Sequence, residues 1–432
     1  MSDIVSESVH SFSYSKSELS GLDFLFGLSR AEWVFLFKET IDIDRMCSAL
    51  EQVLEQFPVA SGRLVKRDNR FYIEQLDAGV HLEVIDSESP SPNFGPDVYP
   101  VLANGLVPDF PRVLVEELES QPLSAFRFTR YSDGRVTLGL SFCHALADGG
   151  SIFAFINAWH CAYSNEPIVK PALDRSLISK LGKDNVEAPT ALSGLMPKPF
   201  NPELFAGGPP VSDFFGMHLT EAEHVQLAER VKQEFAGAVS FNDYLQAMVL
   251  KVFAQSCQDE GDKTTHANMT YDLRRMRTGQ VPMTYFGGAT LYRSFPASFN
   301  DLRNGDVRGI AQRFKELGRP DAEVVQQDIG YCQAQYEAGN TNVFGAFSEF
   351  LTPLLNKGLY INNMLGLGRP QFSFGNNVIW GEMPLRAPFA IRKALFIANR
   401  AGGVSIRMVL PIGQKELFLA KWAECVKQEL PR

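Results

Sequence analysis

Midway through the first half of this chain, a strand has to run directly into a helix. Val136, Leu138, Leu140 and Phe142 alternate with Thr137, Gly139, Ser141 and Cys143. That period of two is what side chains pointing to opposite faces of a strand require. From Gly150 to Tyr163 the apolar residues Ile152, Phe153, Ile156, Ala158 and Trp159 follow helical spacing. Between them lies His144-Ala145-Leu146-Ala147-Asp148-Gly149-Gly150. An imidazole therefore stands at the end of a rigid strand, and the two glycines let the backbone bend sharply behind it. Histidine is the side chain best suited to take a proton near neutral pH. Residue types alone leave three readings: a catalytic histidine, a structural one at a strand end, or half of a metal site. His10, His81, His160, His218, His224 and His266 form no paired spacing with one another, which disfavours metal.

The rest of the chain repeats this mixture. Met46, Ala49, Leu50, Val53 and Leu54 mark a helix over 45–56 that Pro58 ends. Asp68-Asn69, between Gly62–Val65 and Arg70–Ile73, is a hairpin signal. A helix is expected over 240–256 with Ser240 as N-cap, strands over 267–271 and 405–410, and a C-terminal helix over 414–429. From about 180 to 211 the chain carries six prolines and Gly207-Gly208, which remove backbone donors and break helix. The expected organisation is an N-terminal lobe (1–179), a Pro-rich crossover (180–211) and a C-terminal lobe (212–432). Both lobes are α/β with mixed sheets and flanking helices, and the ligand site lies in a tunnel where they meet.

The charge balance narrows the partners. There are 41 Lys and Arg against 50 Asp and Glu, a net charge of −9. Nucleic acid is therefore not the expected partner, because it calls for a basic footprint. No apolar run approaches the roughly 18 residues a membrane helix needs, and the start, MSDIVSESVH, lacks a signal-peptide pattern. The six cysteines are scattered without a CxxC, as in a reducing, cytoplasmic setting.

His144-x-x-x-Asp148-Gly149 after an apolar strand resembles the active-site motif of the BAHD acyltransferases, relatives of chloramphenicol acetyltransferase and of peptide-synthetase condensation domains. Five more segments match in order: Leu19-Ser20-Gly21-Leu22-Asp23, Pro171–Ser176, Ser240-Phe241-Asn242-Asp243, Asp272-Leu273-Arg274-Arg275, and Thr284-Tyr285-Phe286-Gly287. The second family signature, Asp-Phe-Gly-Trp-Gly, is degenerate here as Ser373-Phe374-Gly375-Asn376-Asn377, and Gly288 replaces the usual Asn after Tyr-Phe-Gly. In the family the missing aspartate pairs with the arginine matching Arg274, so Arg274 is expected to need another partner.

The resemblance implies two chloramphenicol-acetyltransferase-like lobes and transfer of an acyl group from acyl-CoA to a hydroxyl or amine of a small specialised metabolite. It implies a monomer with acyl-CoA as co-substrate and no tightly bound cofactor. His144 would be the general base of a direct ternary-complex reaction. Asp148 and Gly149 would be structural, and Asn363 would donate to the oxyanion. Ser240, Asn242 and Arg274, with Arg275 and Arg277, would serve CoA. Trp33, Phe37, Phe372 and Phe374 would line the acceptor pocket. Two other functions stay open. One is a non-acylating member of the fold, suggested by the Ser373 and Asn376 replacements. The other is a condensation enzyme taking carrier-bound thioesters, disfavoured because Cys143 stands where that group has a second His.

Overall fold

The computed structural model describes residues 16–24, 29–39, 41–95, 105–110, 118–184, 212–257, 263–276, 279–318, 321–339, 358–367, 373–375, 378–382, 392–398 and 402–430. The proline-rich stretch beyond residue 184, Arg277, Phe372, Asn376 and Asn377 fall outside these residues.

The first half contains β1 (Ser17–Glu18), β2 (Arg30–Phe37), α1 (Ile43–Gln56), β3 (Arg63–Arg67), β4 (Arg70–Glu74), β5 (His81–Ser87), β6 (Ser124–Tyr131), β7 (Val136–Cys143), α2 (Gly149–Tyr163) and the short α3 (Ser176–Ser179). The second half continues with β8 (Ser212–Leu219), α4 (Glu221–Glu234), α5 (Phe241–Ser256), β9 (Thr264–Asp272), β10 (Thr290–Ser298), α6 (Phe299–Asn304), α7 (Val307–Leu317) and α8 (Ala322–Glu337). It ends with β11 (Leu359–Asn363), β12 (Val378–Glu382), β13 (Lys393–Ala398), β14 (Val404–Pro411) and α9 (Lys415–Glu429).

Two large mixed sheets organise the molecule. The first runs β12-β2-β7-β6-β5 and the second β10-β9-β11-β13-β14-β8, while β1-β4-β3 form a small third sheet. Asp68 and Asn69 turn the β3–β4 hairpin with positive φ, a conformation Asn and Asp tolerate. One apolar core lies on the second sheet alone, and the main core joins the first sheet to Leu291, Tyr292, Tyr360, Leu395 and Ile397 of the second.

Alternation along β2 decides where its aromatics go. Ala31, Trp33, Phe35 and Phe37 pair across the ladder with Phe142, Leu140, Leu138 and Val136, and all eight belong to the main core. Trp33 meets Phe153 of α2 edge-on at 4.9 Å. Trp33 and Phe37, expected to line an acceptor pocket, are 1% and 0% exposed. They serve the packing of sheet against helices instead. The opposite face carries Val34 under Leu106 and Val107. There the chain approaches Gly139 so closely that a Cβ would lie 1.9 Å from the Leu106 carbonyl oxygen.

Two elements cross the expected division into halves. β12 pairs antiparallel with β2, completing the edge of the first sheet from far along the chain. α8 buries its apolar stripe in the same core as Leu22 and Phe24. The Gly21 backbone N–H donates to Gln333 Oε1 of α8 at 2.9 Å, and Lys183 N–H donates to the Gln326 carbonyl at 3.0 Å. The second contact needs bare backbone, because a Cβ on Gly330 would fall 1.6 Å from the Lys183 carbonyl oxygen. Gly330→Ala is therefore expected to cost about 1–3 kcal/mol through overpacking, read as a lower midpoint of urea unfolding. An unchanged midpoint would mean that the 180–184 segment yields freely.

Candidate active site

β7 ends just before His144, four residues ahead of Asp148, whose partners Arg274, Ala289 and Thr290 come from the second half. The His144 backbone N–H donates to the Ser29 carbonyl at 2.7 Å, and the Cys143 N–H to Leu123 at 2.7 Å. The partly buried imidazole thus stands on a backbone bonded from two directions. Four residues on, Asp148 N-caps α2, its Oδ1 accepting from the Ser151 N–H at 2.9 Å.

Asp148 has a second task. Its carboxylate accepts from Arg274 Nη2 at 2.8 Å and Nη1 at 3.0 Å. It also accepts from Ala289 N–H at 2.9 Å and from the Thr290 hydroxyl at 3.0 Å. Burial pushes this carboxyl up, but Arg274 and the hydrogen bonds outweigh burial and hold it down at about 2. Arg274 also donates to Asp272 at 2.9 Å. The two carboxylates compete for one guanidinium, so burial and the neighbouring Asp148 charge leave Asp272 raised. Arg274 was expected at a CoA phosphate and without its usual partner. At 6% exposure it is instead the counter-ion of Asp148.

A second buried pair braces the same turn. Asp23 accepts from Ser20 N–H at 2.7 Å, from Gly288 N–H at 2.7 Å and from Arg175. Arg175 Nη2 also donates to the Leu146 carbonyl, between His144 and Asp148, at 2.7 Å. Residue-by-residue reading assigned no role to Asp23, Arg175, Ser151 or Thr290. The segments around Asp23 and Arg175 were visible only as motif matches. Gly288 is explained as well, since a Cβ there would lie 2.9 Å from Asp23 Cα.

The degenerate segment lies elsewhere. Phe374, 1% exposed, packs edge-on to Phe37 at 6.0 Å and to Trp159 at 6.2 Å. Its N–H donates to His160 Nδ1 at 3.2 Å. His160 is twelve residues along α2 from Asp148, about 18 Å at 1.5 Å per residue. Phe374 is therefore a core residue at the far end of the helix rather than part of an acceptor pocket, and Ser373 has no bearing on the partner of Arg274.

A cleft of about 420 Å³ opens among elements of the second half, with Asp272 in its wall. Ser240, Asn242, Asn363, Arg275, Arg293, Lys315 and Leu367 are among its walls. Leu367 and Met364 reach the start of α2, where a Cβ on Gly149 would meet them at 3.8 and 3.0 Å. Three expected residues thus share one cavity. Ser240 is the N-cap of α5 in a reciprocal box with Asp243, so its hydroxyl is already engaged. Asn363 Oδ1 accepts from the Leu365 N–H at 3.0 Å, which leaves its amide donor facing away from that turn. Among the described residues no three metal-ligating side chains come together, and no helix is long and apolar enough to cross a membrane.

The family model described as the Transferase family matches residues 18–345, well over half the chain. The chain belongs to the BAHD acyltransferases. Hydroxycinnamoyltransferase 1 of Oryza sativa subsp. japonica is 26% identical over 392 residues, covering 87% of this chain and 86% of the relative. The hydroxycinnamoyl-CoA:5-hydroxyanthranilate N-hydroxycinnamoyltransferase of Avena sativa is 27% identical over 402 residues, covering 87% and 86%. Among solved structures, F. graminearum TRI101 complexed with coenzyme A and deoxynivalenol superposes with a TM-score of 0.74 at 15% identity, over 95% of this chain and 98% of that one. Vinorine synthase gives a TM-score of 0.68 at 15% identity, over 97% and 95%. This BAHD acyltransferase accordingly has the two-lobed mixed α/β fold, and its class of reaction is acyl transfer from CoA thioesters.

Proposed function

We propose that the chain acylates a hydroxyl or amine of a small specialised metabolite from acyl-CoA, with His144 as general base in a ternary complex. The observation that carries this reading is the cleft whose walls hold Arg275, Arg293, Lys315 and Asn363 and include Leu367, a side chain within van der Waals reach of a Cβ built on Gly149 at the start of α2. Arg275, Arg293 and Lys315 suit CoA phosphates at its mouth, with the N-terminus of α5 adding unbonded amides. The thioester then lies at the inner end. His144 removes the acceptor's proton, the acceptor's oxygen or nitrogen bonds to the thioester carbon, and the carbon–sulfur bond breaks. The same proton returns to the thiolate, and CoA leaves as a thiol. The Asn363 amide donates to the carbonyl oxygen as it gains charge.

The names of the curated relatives suggest hydroxycinnamoyl-CoA as the first donor to try. The test is thiol release with acetyl-CoA and hydroxycinnamoyl-CoA against alcohols and amines. No acceptor-dependent thiol from any pair would sink the reading. Arg293→Gln is expected to raise KM for acyl-CoA about tenfold with kcat unchanged, as loss of one charge-assisted contact does. The difference should shrink at high salt. A change in kcat alone would remove Arg293 from the phosphate site.

A further inference from the structure

The cleft assigned to the donor holds a carboxylate that a polyanion should avoid. Asp272 ends β9 and stands in the cleft wall, with 16% of its side chain exposed. Its two oxygens are used unequally. Oδ1 accepts from the Arg274 backbone N–H at 3.0 Å and from Arg274 Nη1 at 2.9 Å. Among the described residues, none donates a hydrogen bond to Oδ2. Arg275 Nε stands 3.9 Å from it, outside hydrogen-bond reach. Arg274 is also shared with Asp148, so the Asp272 charge is only partly compensated. An acceptor with lone pairs to spare on a cavity wall is a place for a donor.

The position of Oδ2 says which part of the donor meets it. A Cβ on Gly150, at the start of α2, would lie 3.5 Å from this oxygen. A Cβ on the neighbouring Gly149 would lie 3.8 Å from Leu367, another wall of the cleft. Phosphates suit Arg275, Arg293 and Lys315 and are repelled by a carboxylate. What passes Oδ2 must therefore be uncharged and bring a hydrogen to share. The arm of CoA between its phosphates and its sulfur is uncharged and carries two amide N–H groups.

We infer that Asp272 recognises this arm, its Oδ2 accepting a hydrogen bond from one of the two amide N–H groups of acyl-CoA. The donor is thereby selected by its arm as well as by its phosphates. This rests on the donor reading of the cleft given above, and the test separates the two.

The probes are CoA, ADP 3′-phosphate, which is CoA without its arm, and two CoA analogues in which an ester oxygen replaces one or the other amide N–H. Binding to the full chain is measured by titration calorimetry, so no acceptor is needed. One of the two ester analogues should bind the parent about tenfold more weakly than CoA, the loss of one hydrogen bond to a charged group. Asp272→Asn can keep an oxygen on Arg274 while turning an amide N–H toward the arm. It should weaken CoA about tenfold, leave ADP 3′-phosphate unchanged and remove the advantage of CoA over that ester analogue. Two ester analogues that bind the parent as tightly as CoA overturn the inference with no variant required, so the test survives a poorly folding Asp272→Asn protein. Equal weakening of CoA and ADP 3′-phosphate by Asp272→Asn also overturns it and leaves Asp272 a brace for Arg274. A parent that binds neither CoA nor ADP 3′-phosphate overturns the donor reading of the cleft itself, and the inference with it.

Discussion

Replacing Asp148 with asparagine should cost roughly 3–5 kcal/mol of stability, as removal of one partner from a buried ion pair does. The carboxylate accepts from five donors, two of them on Arg274. An asparagine fits the space but offers one oxygen where two are used, and it turns an amide toward donors. Among the described residues Arg274, with 3% of its side chain exposed, then keeps Asp272 as its one carboxylate partner, beside neutral acceptors on Tyr285, Ser151 and Gly287. Chemical denaturation of the two proteins measures the difference. Acid supplies a second readout. The folded carboxyl sits at about 2, against 3.8 for an ordinary aspartate. Its contribution of roughly 2–3 kcal/mol is complete at neutral pH, starts to fall below about pH 4 and is gone near pH 2. The asparagine variant should lack that share of the acid loss. A variant as stable as the parent but inactive would instead make Asp148 a participant in the chemistry.

The second large effect falls on turnover alone. His144→Ala should lower kcat by about 10²- to 10⁴-fold, the usual contribution of a general base. KM for acyl-CoA should stay put, because the cleft walls are untouched. Folding should be little altered, since the bond from residue 144 to Ser29 uses the backbone. The acid limb of the parent's pH–rate profile should vanish in the variant. Near-parental turnover in a folded His144→Ala protein would end the assignment.

Local features were the legible ones. Ser240 could be named as a cap because capping is decided within four residues, and β7 and α2 because their periods are short. The six ordered motifs carried the fold. The partner of Arg274 was not legible, because 126 positions separate it from Asp148 and no local rule spans that distance. Trp33 and Phe37 were misread for a different reason: alternation shows that two faces exist but not which one meets helices. Phe374 followed them into the core.

The strand contributed by residues 378–382 has a mechanical consequence. Because it seals the rim of the sheet built by the first half, the two lobes are laced together like stitched cloth. A fragment ending before it would leave β2 with bare amides and carbonyls, an invitation to self-association. Clamshell opening would tear that seam, so substrates are expected to enter while the halves stay joined.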